Sequence, residues 1–258
     1  MKHSFLDKYS EQDSLVHRLD PRTKFIISLL FILAVALTSP VMWPVFSIYF
    51  ILMIILILIS RVPVLYILKR SLVIIPFVVL MAISIPFVKE GEVIGSYNIW
   101  IWQVSLTHSG LQLLWNILAK AWLSILCLIL LTATTRMTDL LAALERLHMP
   151  RVMVMILSFM YRYIFVLVDE VMRMKQARDS RNFGGRRLWQ LRTLGNMAGT
   201  LFIRSYERGE RVYAAMLARG YDGRCCTLNR LSLKPTDIYG GLGFGIVILA
   251  AFLFNFIG

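Results

Sequence analysis

The chain has 258 residues, 58% of them hydrophobic, and a formal net charge of +13. A mean hydropathy of +0.68 excludes an ordinary soluble domain and fits a polytopic helical membrane protein. Basic charge beside bilayer spans sets topology, holds anionic lipid heads or meets an acidic protein partner, and argues against nucleic acid as the target.

Residues 1–19 are polar and are expected at the surface. The first apolar run begins only after Lys24, so a retained first span is expected rather than a cleaved signal peptide. The amine of Met1 with His3 is a pattern that can bind nickel or copper, but His17, His108 and His148 are far apart in sequence and no metal site is expected. Asp20 is a good N-cap, and Pro21 suits the first position of the helix that follows. Arg22 and Lys24 mark the cytoplasmic rim of a span from about Arg22 to Leu37.

Ser39-Pro40 and Trp43-Pro44 make a short turn, and a second span follows from about Val45 to Ile59. Arg61, Lys69 and Arg70 precede a third span, about Ser71 to Val88, with Pro76 inside it. Residues 89–110 form a long polar loop whose alternating run Tyr97 to Trp102 reads as a short interfacial hairpin. A fourth span covers about Leu111 to Thr134, and a last one about Ile238 to Ile257. In that last span Gly241 and Gly245 form a small-xxx-small pair suited to close helix packing. Among 28 Lys and Arg, only Lys89 falls in the loops assigned outside, and Lys120 lies within a span. The positive-inside rule then places the N-terminus in the cytoplasm and the C-terminus outside.

Residues 136–234 hold 18 Lys and Arg against 8 Asp and Glu, with large apolar side chains at helical spacing. Three amphipathic helices are expected there. The first covers about Thr138 to His148 with Thr138 as N-cap. The second runs from about Arg151 to Arg181 and is broken by Gly184-Gly185. The third runs from about Arg187 to Arg219 and stops at Gly220, which suits a left-handed C-cap. Cys127 lies in a span, Cys225 and Cys226 are adjacent, and no disulfide framework or metal-ligand spacing is present.

Two arginines stand out. Arg178 follows Ala177 and precedes Asp179 near the end of one long helix; Arg219 follows Ala218 and precedes Gly220 at the end of the next. A guanidinium so presented makes forked bonds to carboxylates or helix-end carbonyls that lysine cannot reproduce. The plainer alternative is that each arginine interacts with its own helix C-terminus. If the glycine pair reverses the chain, the two lie roughly 40 Å apart, too far for one pocket and suited to two receivers. Within the fourth span Gln112, Asn116, Lys120 and Ser124 repeat every four residues as a polar stripe. Lys120 faces a partner membrane subunit or a wet cavity, or else packs between helices and snorkels.

His17 to Lys24, Pro150-Arg151 with Tyr161-Arg162-Tyr163, Ala177-Arg178-Asp179, and Ala214 to Gly223 together resemble the transmembrane T component of energy-coupling factor transporters, EcfT, most nearly its cobalt branch, the CbiQ type. The resemblance covers nearly the whole chain, and departs from the family pattern at Asp179, where a small residue often follows the arginine. It implies a protein that is not an enzyme and carries no cofactor and no ATP. Its two arginine motifs, Ala177-Arg178-Asp179 and Ala218-Arg219-Gly220, would dock on two ABC ATPase subunits. Their closure would move a separate substrate-binding membrane subunit, the S component, which holds the metal. The expected architecture is all-α with about five transmembrane helices: four spans in 1–135, a cytoplasmic coupling region of long amphipathic helices in 136–235, and a C-terminal transmembrane helix in 236–258. Nickel or another micronutrient is the alternative cargo. An enzyme or adaptor acting on anionic lipid is the alternative class, but the eight acidic residues of 136–234 are dispersed, and no nucleophile–base pair or phosphate loop is visible.

Overall fold

The computed structural model describes residues 12, 14–40, 42–82, 93–99, 102–181, 187–222 and 235–257. The readings made on Met1 to His3, on Gly184-Gly185 and on Cys225-Cys226 fall outside these residues. The described residues form nine helices and one hairpin: α1 (Leu15–Arg18), α2 (Pro21–Leu37), α3 (Trp43–Ser60), α4 (Val64–Ala82), β1 (Val93–Ile99), β2 (Trp102–Thr107), α5 (His108–Thr134), α6 (Met137–Arg146), α7 (Arg151–Asp179), α8 (Arg187–Ala218) and α9 (Pro235–Ile257). The protein is an all-α polytopic membrane protein, with this hairpin the exception among the described residues. β1 and β2 pair antiparallel, with Ile99 opposite Trp102, as the alternating run predicts.

Local chemistry explains several boundaries. Asp20 accepts a hydrogen bond from the Arg22 N–H at 2.8 Å and Pro21 occupies the first turn, the N-terminal cap read from the sequence. Thr138 is not a cap. The helix α6 begins at Met137, and the Arg136 carbonyl accepts the N–H groups of Asp139 and Leu140 at 3.1 and 3.0 Å. The N-terminal polar stretch contains a helical turn that composition does not announce: α1, capped by Ser14 on the His17 N–H, buries Val16. The fourth helix starts at Val64, earlier than the apolar run, so Lys69 and Arg70 lie inside it.

The chain divides into two compact units, 2–143 with 231–258, and 144–230, the break falling inside α6. In the first, α5 packs against α2, α3 and α4, while α9 packs against α2 and α3. Phe31 meets Tyr49 edge to face at 5.6 Å, among buried Val35, Met53 and Ile248. Ile51, Leu58, Phe77, Leu80 and Met81 point outward. That pattern fits lipid as solvent, where helices associate by close packing and hydrogen bonds rather than by hiding apolar surface. Gly241 packs on α2, where a Cβ would sit 3.7 Å from the Thr23 methyl, whereas Gly245 faces open space.

The helices α3, α4, α5 and α7 are long and apolar enough to cross a membrane, and α9 contains a shorter apolar helix, Asp237–Leu253. The helix α7 differs from the amphipathic reading. Between Val152 and Val168 its only charge is Arg162, so its first half is apolar on nearly every face.

Candidate docking site at two helix tips

In the unit of residues 144–230, α8 ends in a fully formed glycine cap. Gly220 adopts φ +78°. Its N–H donates to the Leu217 carbonyl at 2.9 Å and the Tyr221 N–H donates to Met216 at 3.1 Å. These are the two bonds of a Schellman cap, with Arg219 as the last residue before the left-handed glycine. The cap also turns the chain so that the Tyr221 hydroxyl reaches the Met155 sulfur on α7. Arg219 itself is exposed and has no ion pair or side-chain hydrogen bond among the described residues. Its guanidinium therefore stands at the end of a rod that is closed below it and braced beside it.

Arg178 is arranged differently. Its Nε and Nη2 both donate to Oδ1 of Asp179, at 2.9 and 2.8 Å. Ser180 closes the helix beneath, its N–H donating to Gln176 and its hydroxyl to Ala177. The neighbouring aspartate therefore already holds the guanidinium.

Two contacts fix the direction of the helices. Arg204 of α8 donates to Glu170 of α7 at 2.6 Å, while Tyr221 reaches Met155. The partners run backward along α7 as they run forward along α8, so the pair is antiparallel. Arg178 lies beyond Glu170 at one end and Arg219 beside Met155 at the other. The rise of an α-helix over that stretch of α7 separates them by about 35 Å. Glu170 also accepts from Arg173 at 2.7 Å. Its carboxylate thus accepts from an arginine of each helix. Exposed Met153, Ile156, Met160 and Ile164 on α7, and Phe202, Ile203 and Tyr206 on α8, leave the pair with a broad uncovered apolar surface.

Lys120 sits in the other unit. Its ammonium donates to the carbonyls of Ala36 at 2.9 Å and Thr38 at 2.6 Å, and Asn116 donates to Pro40 at 3.3 Å. The polar stripe of α5 thus faces the turn after α2. Lys120 fills carbonyls that an α-helix C-terminus leaves without intrahelical donors. Lys24 does the converse. It donates to Thr134, the last residue of α5, at 3.0 Å, and to His17 at 3.1 Å. Each of two antiparallel helices therefore carries a lysine that closes the C-terminus of the other.

The surroundings of Lys24 are what sequence reasoning missed. Lys24 is only 7% exposed, Asp20 6% and Asp237 2%. The Asp20 N–H donates to Asp237 at 3.3 Å, and the negative charges of Asp139, Asp20 and Asp237 offset part of the desolvation of the Lys24 ammonium, whose direct partners are the two carbonyls. A lysine expected at the rim is the centre of a buried ionic cluster joining α2, α5, α6 and α9. The available signal was Asp237, an acid opening an otherwise apolar helix. No group of three or more His, Cys, Asp or Glu suited to a metal ion occurs among the described residues.

Comparison with known proteins agrees with this architecture. A family model described as cobalt transport protein, CbiQ, matches residues 12–228. An uncharacterized protein of Methanocaldococcus jannaschii is 29% identical over 256 residues, covering 95% of this chain and 84% of that protein. The energy-coupling factor transporter transmembrane protein EcfT of Lacticaseibacillus paracasei is 31% identical over 237 residues, covering 86% of this chain and 87% of that protein. A putative fused cobalt transport protein CbiMQ of Methanocorpusculum labreanum is 30% identical over 167 residues, 61% of this chain and 27% of that one.

Proposed function

The chain belongs to the CbiQ cobalt transport protein family, and from that premise we propose that it is the coupling subunit of an energy-coupling factor importer, carrying the motion of two ABC ATPase subunits to a substrate-binding membrane subunit. That it is a membrane-embedded transporter component follows from the family and the apolar helices. The observation that carries the finer reading is Arg219, exposed and unpaired among the described residues on a glycine-capped helix end. Such a side chain has no intrachain partner to give up when a carboxylate or carbonyl groove receives it. Arg178 at the far end of the antiparallel pair gives a second input. The distance between them suits two receivers rather than one.

The apolar faces of α7 and α8 supply the output, a surface on which a membrane partner would ride. A contact of that partner with Lys120 would pass through the α2 turn that Lys120 holds. The net basic charge of 136–234 supports a reading in which the charged helix ends of this region face the cytoplasm, with the N-terminus inside and the C-terminus outside. Cobalt is the favoured cargo because of the family, with nickel as the alternative; selectivity would lie in the substrate-binding partner. ATP would bind to the ATPase partners.

The test is co-purification with the neighbouring ATPase and membrane subunits, followed by ATP-dependent uptake of cobalt and of nickel. Arg219→Glu is expected to abolish ATPase association and uptake while membrane insertion is kept. Arg178→Glu should act in the same direction but less completely, because Asp179 already competes for the wild-type guanidinium. A wild-type complex without any ATPase, after mild solubilisation, would sink the proposal. So would a small, salt-dependent loss on charge reversal, which is the signature of a lipid-binding adaptor.

A further inference from the structure

Charge is sorted by face along the α7–α8 pair. On α7, Arg151, Ser158, Arg162, Asp169 and Arg173 follow one another at steps of seven and four, so they share one face. The exposed Met153, Ile156, Met160 and Ile164 follow at steps of three and four on the opposite face. The helix α8 repeats the division. Arg204, Arg208 and Arg211 make one row, and the exposed Phe202, Tyr206 and Tyr213 make another, turned away from it. Both helices are right-handed and they run antiparallel, so the rows match: the arginines of both line one side of the pair and the apolar rows the other. Glu170, shared by Arg173 and Arg204, ties the two arginine rows across the groove between the helices.

The charges on the arginine side do not balance. Its acids are already taken: Glu170 receives two arginines, Glu207 lies 3.7 Å from Arg211, and Asp169 has an interaction of its own. Two cations are left over. Arg162 is exposed and Arg208 half-buried, and neither has an ion pair or side-chain hydrogen bond among the described residues. The contacts Met155–Tyr221 and Glu170–Arg204 set the register of the pair and bring Arg208 level with about Val166 of α7. Arg162 and Arg208 thus stand on opposite banks of one groove, about 6 Å apart along its axis.

We propose that Arg162 and Arg208 form a docking point for an acidic segment of the ATPase partner, which lays two carboxylates into the groove between α7 and α8. The inference rests on the coupling role proposed above, and adds to the two tips a contact along the length of the pair. Charge complementarity selects the occupant. Two guanidiniums without a partner in the described chain, on a side whose acids are shared out, offer forked bonds to carboxylates. The apolar rows select its source. A membrane partner or the bilayer takes the apolar side, which turns the arginines away from lipid headgroups and toward the ATPase subunits.

The full chain is placed in phosphatidylcholine nanodiscs, and its affinity for the neighbouring ATPase subunits is measured by biolayer interferometry at low and at physiological salt. The wild type is expected to bind, and more weakly as salt rises. Arg162→Glu combined with Arg208→Glu should raise Kd at least about tenfold and flatten the salt dependence, while binding stays saturable because the tips are intact. The corresponding double lysine variant should fall between, since lysine keeps the charge and loses the fork. Glu210→Lys, on the face of Tyr206 and Tyr213, should leave Kd unchanged. An unchanged Kd in the double glutamate variant, with association still abolished by Arg219→Glu, would overturn this inference and leave the coupling role standing. A wild type that binds no ATPase would overturn both. A loss seen only when phosphatidylglycerol is added to the nanodisc would assign the arginines to lipid headgroups and overturn it as well. Thermal unfolding of every variant separates loss of the contact from loss of the fold.

Discussion

Replacing Lys24 by methionine keeps most of the apolar stem of the side chain and deletes its ammonium group. In the structure that charge is shared by two carbonyls, those of His17 and Thr134, and faces three carboxylates, two of them almost wholly buried. Two effects follow. The carbonyls lose charge-assisted donors, worth about 1.5–3 kcal/mol for such a bond. Asp20 and Asp237 also lose a neighbouring positive charge, though neither is in direct ion-pair contact with the ammonium. Two carbonyl bonds from one ammonium are lost together, so about 3–5 kcal/mol is the expected total. For a chain of this size that corresponds to a fall in Tm of about 6–20 °C. Thermal unfolding in detergent measures it. A double-mutant cycle with Asp237→Asn makes the reasoning sharper: removing the acid as well should recover part of the loss, with a coupling of about 1–3 kcal/mol. A Tm within a degree or two of wild type for Lys24→Met, or strictly additive losses, would show that the cluster is not held by this lysine.

Further outcomes are expected elsewhere. Lys120→Leu should destabilise the fold by about 1.5–3 kcal/mol, through the uncapped carbonyls of Ala36 and Thr38, and this should be measurable without any partner present. If that variant unfolds like wild type and only its complex with the substrate-binding subunit weakens, the intrachain role is wrong. Gly220→Ala places a Cβ on a left-handed backbone and should cost about 1–2 kcal/mol locally, read as faster hydrogen exchange at the Tyr221 amide.

Much of the helical framework was readable because its signals are local. Asp20-Pro21 is a cap and first turn whatever surrounds it, and Ala218-Arg219-Gly220 ends a helix by backbone chemistry alone. What could not be read depends on groups that leave no trace in composition. Lys120 is satisfied by main-chain carbonyls, and every residue has a carbonyl, so nothing in the sequence singles out Ala36 and Thr38. Lys24 follows the positive-inside pattern and so reads as a surface charge; its burial depends on Asp237, 213 positions away along the chain. At Met137 the capping signal of Thr138 yielded to Arg136, whose carbonyl receives the N–H groups of Asp139 and Leu140. The helix α7 was read by periodicity over its full length, but its charges crowd into its second half and leave the first half apolar nearly all round.

The reciprocal lysines of α2 and α5 have one more implication. The points they pin lie about 18 Å apart along α2, from Lys24 to Ala36, and about 21 Å apart along α5, from Lys120 to Thr134. The two helices therefore act as a matched pair of rulers, each nailed at both ends to the other. A slide by one helical turn, about 5.4 Å, would pull both ammonium groups off their carbonyls together. Piston-like shear within this pair is thereby disfavoured. Any movement these two helices undergo is expected as a tilt of both at once, the kind of motion a hinge passes on without loss and a sliding joint does not.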